Sequence, residues 1–313
     1  MRLITTLLLF SINLIGLAQS VKTADPNSLK FNVQDVVNFW SAYDQLATTN
    51  SYSDSLQVVE KYYVSKASQG LKLYNEMSNS DAKSFLTVIR IHPKLLRSIR
   101  ANSLAISTRK DSILEGVRKL KRAYPASVFP ELFFCMGKFE VKGNRTDDIL
   151  YIGAELNSLA KESPRDEITN SFVRAAAGNF DELDAVCLHE IAHFQQQLIP
   201  KTNLEFALTE GGAEFVTHIL TGKSTMQSVF DKVDASLEKT IWREFALQKD
   251  KPIDAIWFLA MGDEKQKRPG MLGYVIGFRI CENYYKKAKD KEEALRNIIS
   301  LSKPQTIIQA SGY

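Results

Sequence analysis

The sequence predicts an α+β fold that is mainly α-helical, with a small sheet placed over a central helix. Apolar residues recur at helical spacing through most of the 313 residues. Two short apolar runs, at 131–137 and 148–153, carry the aromatic and β-branched residues that are typical of strands. No Gly/Ser-rich linker separates the helical front part from the rest, so we expect the two parts to pack together.

Residues 1–18 are predicted to be a signal peptide. Arg2 gives a charged start, and the apolar run at 3–17 is shorter than the roughly 20 residues that span a bilayer. Small residues at Gly16 and Ala18 place the expected cleavage after Ala18, with an uncleaved anchor as the alternative. We therefore expect an exported protein, periplasmic or extracellular, without stable membrane insertion after cleavage.

Residues 19–122 are predicted to form an α-helical N-terminal region. Val36, Phe39 and Tyr43 lie on one helical stripe, and similar stripes follow along the region. Pro93 ends one of these helices, because a proline disfavours helical backbone in the residue before it.

Residues 123–313 form the second predicted region, which holds the sheet and the central helix. Gly143–Asn144 predicts a turn between the two strands. The stretch at 151–155 is the predicted exposed edge, where an extended peptide could add to the sheet.

Composition argues against a nucleic-acid-binding protein and against a small disulfide-stabilised protein. The net charge is +4, and 44% of the residues are hydrophobic, as in an ordinary globular protein. No block of like charges is present, so we expect no nucleic-acid partner. The three cysteines lie in separate apolar segments, which predicts buried thiols rather than a disulfide framework.

The segment at 189–193 reads HEIAH, in a chain with only four histidines. Residues four apart on a helix lie one above the other, so the imidazoles of His189 and His193 can converge on one zinc ion. Glu190 lies between them as a candidate general base for a water molecule. The sequence around the motif predicts the helix, with a cap at Asn179, an end near Pro200 and an apolar stripe on the opposite face.

A catalytic zinc normally has three protein ligands and one open position. The segment at 210–214 reads EGGAE, and Thr209 is predicted to cap a helix that begins at Glu210. On that helix Glu210, Glu214 and His218 share one stripe, so each is a candidate third ligand.

These motifs resemble the gluzincin class of metallopeptidases, in which HExxH is followed by a glutamate ligand on the next helix. The match is HEIAH at 189–193 and LTEGGAEF at 208–215. Thr209 and Gly212 replace the Asn and the aromatic residue of the aminopeptidase form. Together with GYVIGFRI at 273–280, the segments are also similar to a family of secreted, predicted zinc-dependent proteases, over about residues 125–313.

The resemblance implies a zincin-like catalytic domain at 123–313 that holds one Zn²⁺ per chain. It makes Glu210 the third ligand, beside His189 and His193, and Glu214 the carboxylate that orients a liganding imidazole through its distal N–H. Glu214 stays open as the alternative ligand. In the gluzincins a Tyr or His from a later helix stabilises the oxyanion, and Tyr274 is the candidate here, although it could equally belong to a core stripe.

Two weaker substrate-binding predictions complete the site. Gly153, Ala154 and Glu155 lie in a segment similar to the Gly-Ala-Met-Glu-Asn motif of exopeptidases, whose Glu holds a substrate amino terminus. Arg268 could bind a substrate carboxylate through its planar guanidinium group.

Three functions are therefore in competition. The favoured one is an exported zinc-dependent peptidase that hydrolyses peptide or protein substrates. The second is a zinc-containing protein that binds peptides or partners without cleaving them. The third is a helical interaction protein in which HExxH occurs by coincidence, and elemental analysis for zinc would separate it from the other two.

Overall fold

The computed structural model of this chain describes residues 22–260, 262–263 and 268–313. The predicted signal peptide lies outside the described residues. Helices make up most of the described chain, and they are accompanied by one four-stranded sheet. The predicted fold class, α+β and mainly α-helical, is confirmed.

The helices of the N-terminal part are α1 (Gln34–Gln45), α2 (Tyr52–Tyr62), α3 (Gln69–Ser78), α4 (Ala82–Ile91), α5 (Pro93–Leu104) and α6 (Lys110–Ala123). The strands are β1 (Phe31–Asn32), β2 (Glu131–Cys135), β3 (Gly143–Arg145) and β4 (Ile149–Gly153). The later helices are α7 (Ser171–Ala176), α8 (Leu183–His193), α9 (Asn203–Thr221), α10 (Gln227–Phe230), α11 (Ala235–Ala246), α12 (Ala255–Phe258), α13 (Leu272–Lys287), α14 (Lys291–Ser300) and α15 (Pro304–Ser311).

The sheet has the strand order β1-β2-β4-β3. β2 runs parallel to both β1 and β4, and β3 is antiparallel to β4, with Gly143 opposite Ile152. The strands predicted at 131–137 and 148–153 are confirmed as β2 and β4. The predicted turn at Gly143–Asn144 is wrong, because these residues begin β3.

The predicted sheet edge at 151–155 is also wrong. β4 lies between β2 and β3, and its residues are almost all buried, as in a central strand that is covered on both faces. Among the described strands, β3 forms this end of the sheet.

The two predicted regions share the sheet. β1 comes from the N-terminal part and pairs with β2, while α1 and α3 pack against β2. At one of these contacts Gly70 of α3 lies so close to Phe133 that a Cβ atom on the glycine would be 2.2 Å from the Cβ of the phenylalanine. A glycine is therefore required where α3 meets the sheet.

α8 carries the HEIAH segment. A single 3₁₀ turn, Phe180–Glu182, precedes it, and the Glu182 carboxylate accepts the backbone N–H of Asn179 at 3.4 Å, as the predicted cap requires. The helix ends at His193 and not near Pro200. The next N–H groups bond to carbonyls three residues back, and the N–H of Gln197 donates to Ser300, which directs the chain away from the helix axis.

α9 begins seven residues earlier than predicted. Thr202 caps it, and Thr202 and Glu205 form a reciprocal capping box, which satisfies the free N–H groups of the first turn. Thr209 is inside the helix, where its hydroxyl donates to the Glu205 carbonyl at 2.9 Å. The prediction that Thr209 caps a helix from Glu210 is therefore wrong.

α9 and α13 cross in close contact at two glycines. A Cβ atom on Gly277 would lie 1.7 Å from the Ala207 carbonyl oxygen, and one on Gly211 would lie 2.2 Å from the backbone nitrogen of Phe278. The backbones therefore meet without side chains between them. This contact places the first turns of α13 beside the middle of α9, where the EGGAE segment lies.

The remaining sequence expectations concern the cysteines and the membrane. Cys135, Cys187 and Cys281 are buried free thiols, as predicted. Within the ranges that the structure describes, no helix combines the length and the apolar character needed to cross a bilayer.

Candidate metal centre

Two imidazoles and one carboxylate converge between α8 and α9. The Nε2 atoms of His189 and His193 are 3.0 Å apart, and Glu210 Oε2 lies 3.6 Å from the first and 3.4 Å from the second. All three donor atoms lie within 4.8 Å of one another. The structure thus brings together the three side chains that the sequence singled out as ligands.

A hydrogen bond at the opposite nitrogen orients each imidazole. His189 Nδ1 lies 2.9 Å from Glu214 Oε2, and His193 Nδ1 lies 2.9 Å from the amide oxygen of Gln196. Both partners are acceptors, so each Nδ1 carries a proton and Nε2 is the nitrogen of each ring that can bind a metal ion. Two Nε2 atoms and a carboxylate that face one another form a donor set that fits a small divalent cation such as zinc.

Glu214 is held in place by hydrogen bonds on the far side of His189. Its side chain is fully buried and accepts hydrogen bonds from the hydroxyls of Ser224 and Thr225 and from the backbone N–H groups of Thr225 and Met226. Burial disfavours its charged form, but the bond with His189 and these donors lower the pKa of the carboxyl to about 2. Glu214 therefore faces Nδ1 of His189, while Glu210 faces the Nε2 pair.

The electrostatics of the centre favour positive charge. Burial opposes protonation of His189, yet the nearby carboxylates of Glu210 and Glu214 raise its pKa to about 10. Burial likewise opposes ionisation of Glu210, but the two imidazoles lower the pKa of its carboxyl well below the usual range. The carboxylates thus create a buried site that stabilises a cation.

Glu190 points toward the sheet from the same helix. A Cβ atom on Gly143 would lie 2.8 Å from its Oε1 and 2.9 Å from its Cδ, so the backbone of β3 comes close to this carboxylate. The side chain is half-buried beside the imidazole pair. Glu190 thus lies between the imidazole pair and β3, the strand at this end of the sheet.

Tyr274 reaches the centre from the first turn of α13. Burial, and then the nearby carboxylate of Glu210, raise the pKa of the phenol well above its ordinary value of 10. The hydroxyl is therefore protonated at neutral pH and can donate a hydrogen bond. The sequence predicts Tyr274 close to α8, and the carboxylate that acts most strongly on its phenol is Glu210 of α9.

The weaker substrate-binding predictions fall outside the centre. Gly153, Ala154 and Glu155 are buried, and the Glu155 carboxylate accepts the Gly137 N–H at 2.8 Å. None of the three is exposed toward the imidazole pair in this structure, and their role in substrate binding stays a prediction. The guanidinium of Arg268 instead pairs with Glu244 at 2.6 Å.

His218, the other open candidate ligand, also lies elsewhere. It is one helical turn beyond Glu214, and its ring packs edge-on against Phe278 with centroids 5.8 Å apart. The group of potential ligands found among the described residues consists of His189, His193 and Glu210 without it.

Sequence reasoning missed several residues around the centre. Gln196 lies three residues after His193, so helical spacing could have indicated it. The donors at 224–226 and the glycine at 143 have no such signal, because their approach depends on contacts between distant parts of the chain.

Comparisons with known proteins give one finding. No curated protein and no solved structure matched the chain. Residues 153–307, about half of the chain and including the whole His189, His193 and Glu210 group, match the model of a family described as predicted Zn-dependent protease (DUF2268), which relates this chain to zinc-dependent proteases.

Proposed function

We propose that this chain is an exported zinc-dependent peptidase of the gluzincin type. The observation that carries the proposal is the placement of Glu210 against the two Nε2 atoms, while Glu214 and Gln196 occupy the two Nδ1 atoms. In this assignment His189, His193 and Glu210 hold one zinc ion per chain. The ion, when bound, lowers the pKa of a water molecule and polarises a peptide carbonyl.

Glu190 is assigned the proton transfers. Its carboxylate extends from the turn between the two imidazoles and lies against the backbone of β3 at Gly143. From that position it can accept a proton from the attacking water and later return it to the leaving amine. No nucleophilic side chain is needed.

Tyr274 is assigned the stabilisation of the oxyanion. Its phenol stays protonated at neutral pH, and it already interacts with the proposed ligand Glu210. A hydroxyl at this place can donate to the negative charge that develops on the carbonyl oxygen of the substrate.

β3 is assigned the binding of the substrate backbone. It lies at one end of the described sheet, and its first residue contacts Glu190. An extended peptide that adds to this strand would carry its scissile bond past the general base. The edge predicted at 151–155 is replaced in this role by β3.

A peptide-library assay tests the proposal. Mature protein beginning at Gln19 is incubated with a mixed peptide library, with and without a chelator, and zinc is measured by elemental analysis. We expect about one zinc per chain and cleavage products that disappear with the chelator and return with zinc. Stoichiometric zinc without any product would indicate a non-catalytic binding protein, and absence of zinc would indicate a coincidental motif.

Replacing Tyr274 with Phe is expected to lower kcat by about 10²-fold, because one oxyanion donor is lost. The zinc content and the fold should not change, since the ring keeps its packing. Steady-state kinetics on a library-derived substrate measure the effect. Tyr285→Phe on the same helix is the control, because no described partner bonds its hydroxyl. Equal rates for the two variants would assign Tyr274 to packing alone.

A further inference from the structure

Lys142 stands directly before β3, beside the centre. Its backbone is fixed, because its carbonyl oxygen accepts hydrogen bonds from the Gly153 N–H at 2.9 Å and the Asn157 side-chain amide at 3.0 Å. The next residue, Gly143, touches Glu190. The lysine is therefore held one residue from the contact between the sheet and the proposed general base.

The side chain of Lys142 runs against Gly178, in the loop that leads to α8. A Cβ atom on Gly178 would lie 3.2 Å from the Cε of the lysine, 3.3 Å from its Nζ and 3.1 Å from the Oδ1 of Asn157. The residue is half-buried, yet none of the described residues forms a hydrogen bond or an ion pair with the ammonium. The Oδ1 of Asn157, which is buried, also lacks a partner among them.

An ammonium group without a partner is unusual in such a place. Burial lowers the pKa of Lys142 from its ordinary value, while the charges of Glu214, Glu182 and Glu190 act in the opposite direction. Glu214 is already saturated by its own donors, and Glu182 accepts the Asn179 N–H. The desolvation of the lysine is therefore not balanced by a close ion pair within the described chain.

A peptide bound along β3 would pass this ammonium. Its scissile bond would lie at Gly143 and Glu190, so the neighbouring part of the peptide reaches Lys142. A carboxylate is the group that a half-buried ammonium binds most strongly. Arg165, whose guanidinium bonds to the Ala177 carbonyl and to Asn179, adds positive charge on the same side.

We propose that Lys142 binds a carboxylate of the peptide substrate, so that the enzyme prefers substrates with a negative charge near the cleaved bond. This inference rests on the proposed peptidase function and names its substrate class. The carboxylate has two possible sources, the free carboxyl terminus of the peptide and the side chain of an Asp or Glu. The first would make the enzyme act near carboxyl termini, and the second would give it a preference within longer chains.

The experiment separates the two sources. The peptide that the zinc-loaded protein cleaves fastest is prepared with a free or amidated carboxyl terminus, and with each Glu or Asp near the cleaved bond kept or replaced by its amide. The ratio of kcat/KM between charged and neutral forms is measured for the wild type, Lys142→Met, Lys142→Arg and the control Lys161→Met. Lys161 is an exposed lysine in another loop. Calorimetry on Glu190→Gln measures binding of the same peptides without cleavage.

We expect the wild type and Lys161→Met to favour one charged form by about tenfold or more, the size of one charge-assisted hydrogen bond. In Lys142→Met this ratio should fall to about one, both in kcat/KM and in the dissociation constant, and Lys142→Arg should restore part of it. If Lys142→Met no longer distinguishes the free carboxyl terminus from the amidated one, the bound group is the terminal carboxylate. If it no longer distinguishes Glu or Asp from Gln or Asn, the bound group is the side-chain carboxylate.

Two failures are distinguishable. If the wild type cleaves peptides but treats charged and neutral forms alike, or if Lys142→Met keeps the wild-type ratio, the inference is overturned while the peptidase function stands. In that case Lys142 only balances the negative charge around Glu190. If the wild type cleaves no peptide, the proposed function fails, and the carboxylate preference fails with it.

Discussion

Replacing Glu190 with Gln is expected to lower kcat/KM by about 10²-fold to 10⁴-fold, the contribution typical of a general base. The amide has nearly the shape of the carboxylate, so it fits against Gly143, but it cannot accept the proton. Glu190 is not one of the three groups that converge as ligands, so zinc content should stay at one per chain. Steady-state kinetics and elemental analysis on the same preparation give both quantities.

Glu162→Gln is a suitable control for this variant. Glu162 is an exposed carboxylate in a loop, and the same isosteric change there should leave activity and zinc unchanged. A Glu190→Gln enzyme that cleaves peptides at the wild-type rate would exclude the assigned proton transfer. If the variant instead loses zinc together with activity, Glu190 is needed for zinc binding, and the loss of activity is not evidence for a general base.

The sequence was enough to predict those helices and strands that depend only on residues close to one another along the chain. HEIAH falls on a helix because His189 and His193 need i, i+4 spacing, and α8 has that spacing. Pro93 begins α5, where its missing N–H costs nothing. β2 and β4 are rich in buried apolar and aromatic residues, so their strand character is also visible in the sequence.

The missed elements depend on distant contacts. The sequence of β3, Gly-Asn-Arg, has low strand propensity, and only its pairing with β4 makes it a strand. The sequence predicts that α9 begins at Glu210 with Thr209 as its cap, whereas the capping box of Thr202 and Glu205 begins the helix at Asn203. The partners of Glu214 at 224–226 lie beyond the end of α9. Outside a helix, the spacing of residues along the sequence does not indicate how close their side chains lie.

The candidate ligands of the site were predictable from the sequence, but the residues around them were not. His189, His193 and Glu210 were indicated by motif spacing and by resemblance, and the structure brings all three together. Lys142 and Gly143 read as loop residues, although they lie beside Glu190. The burial of Gly153, Ala154 and Glu155 was not predictable, because a short motif likeness does not show whether a side chain is exposed.

Replacing Gly277 with Ala is expected to lower the free energy of unfolding by about 3 kcal/mol or more, at the upper end of the cost of overpacking. The new Cβ would lie 1.7 Å from the Ala207 carbonyl oxygen, which is backbone and cannot rotate away. α9 and α13 would have to separate. The gain in helix propensity from Gly to Ala is only about 1 kcal/mol, so the steric cost dominates. Denaturant midpoints of the zinc-free protein measure the difference.

Gly212→Ala is the matched control, because it makes the same change one residue from the crossing. There a Cβ atom would lie 3.7 Å from Cys281 Sγ, an ordinary contact, so this variant should be as stable as the wild type or slightly more stable. Separation of α9 from α13 would also move Tyr274 away from Glu210, so Gly277→Ala should lose activity as well. Equal midpoints for the two variants would show that the helices do not meet at Gly277.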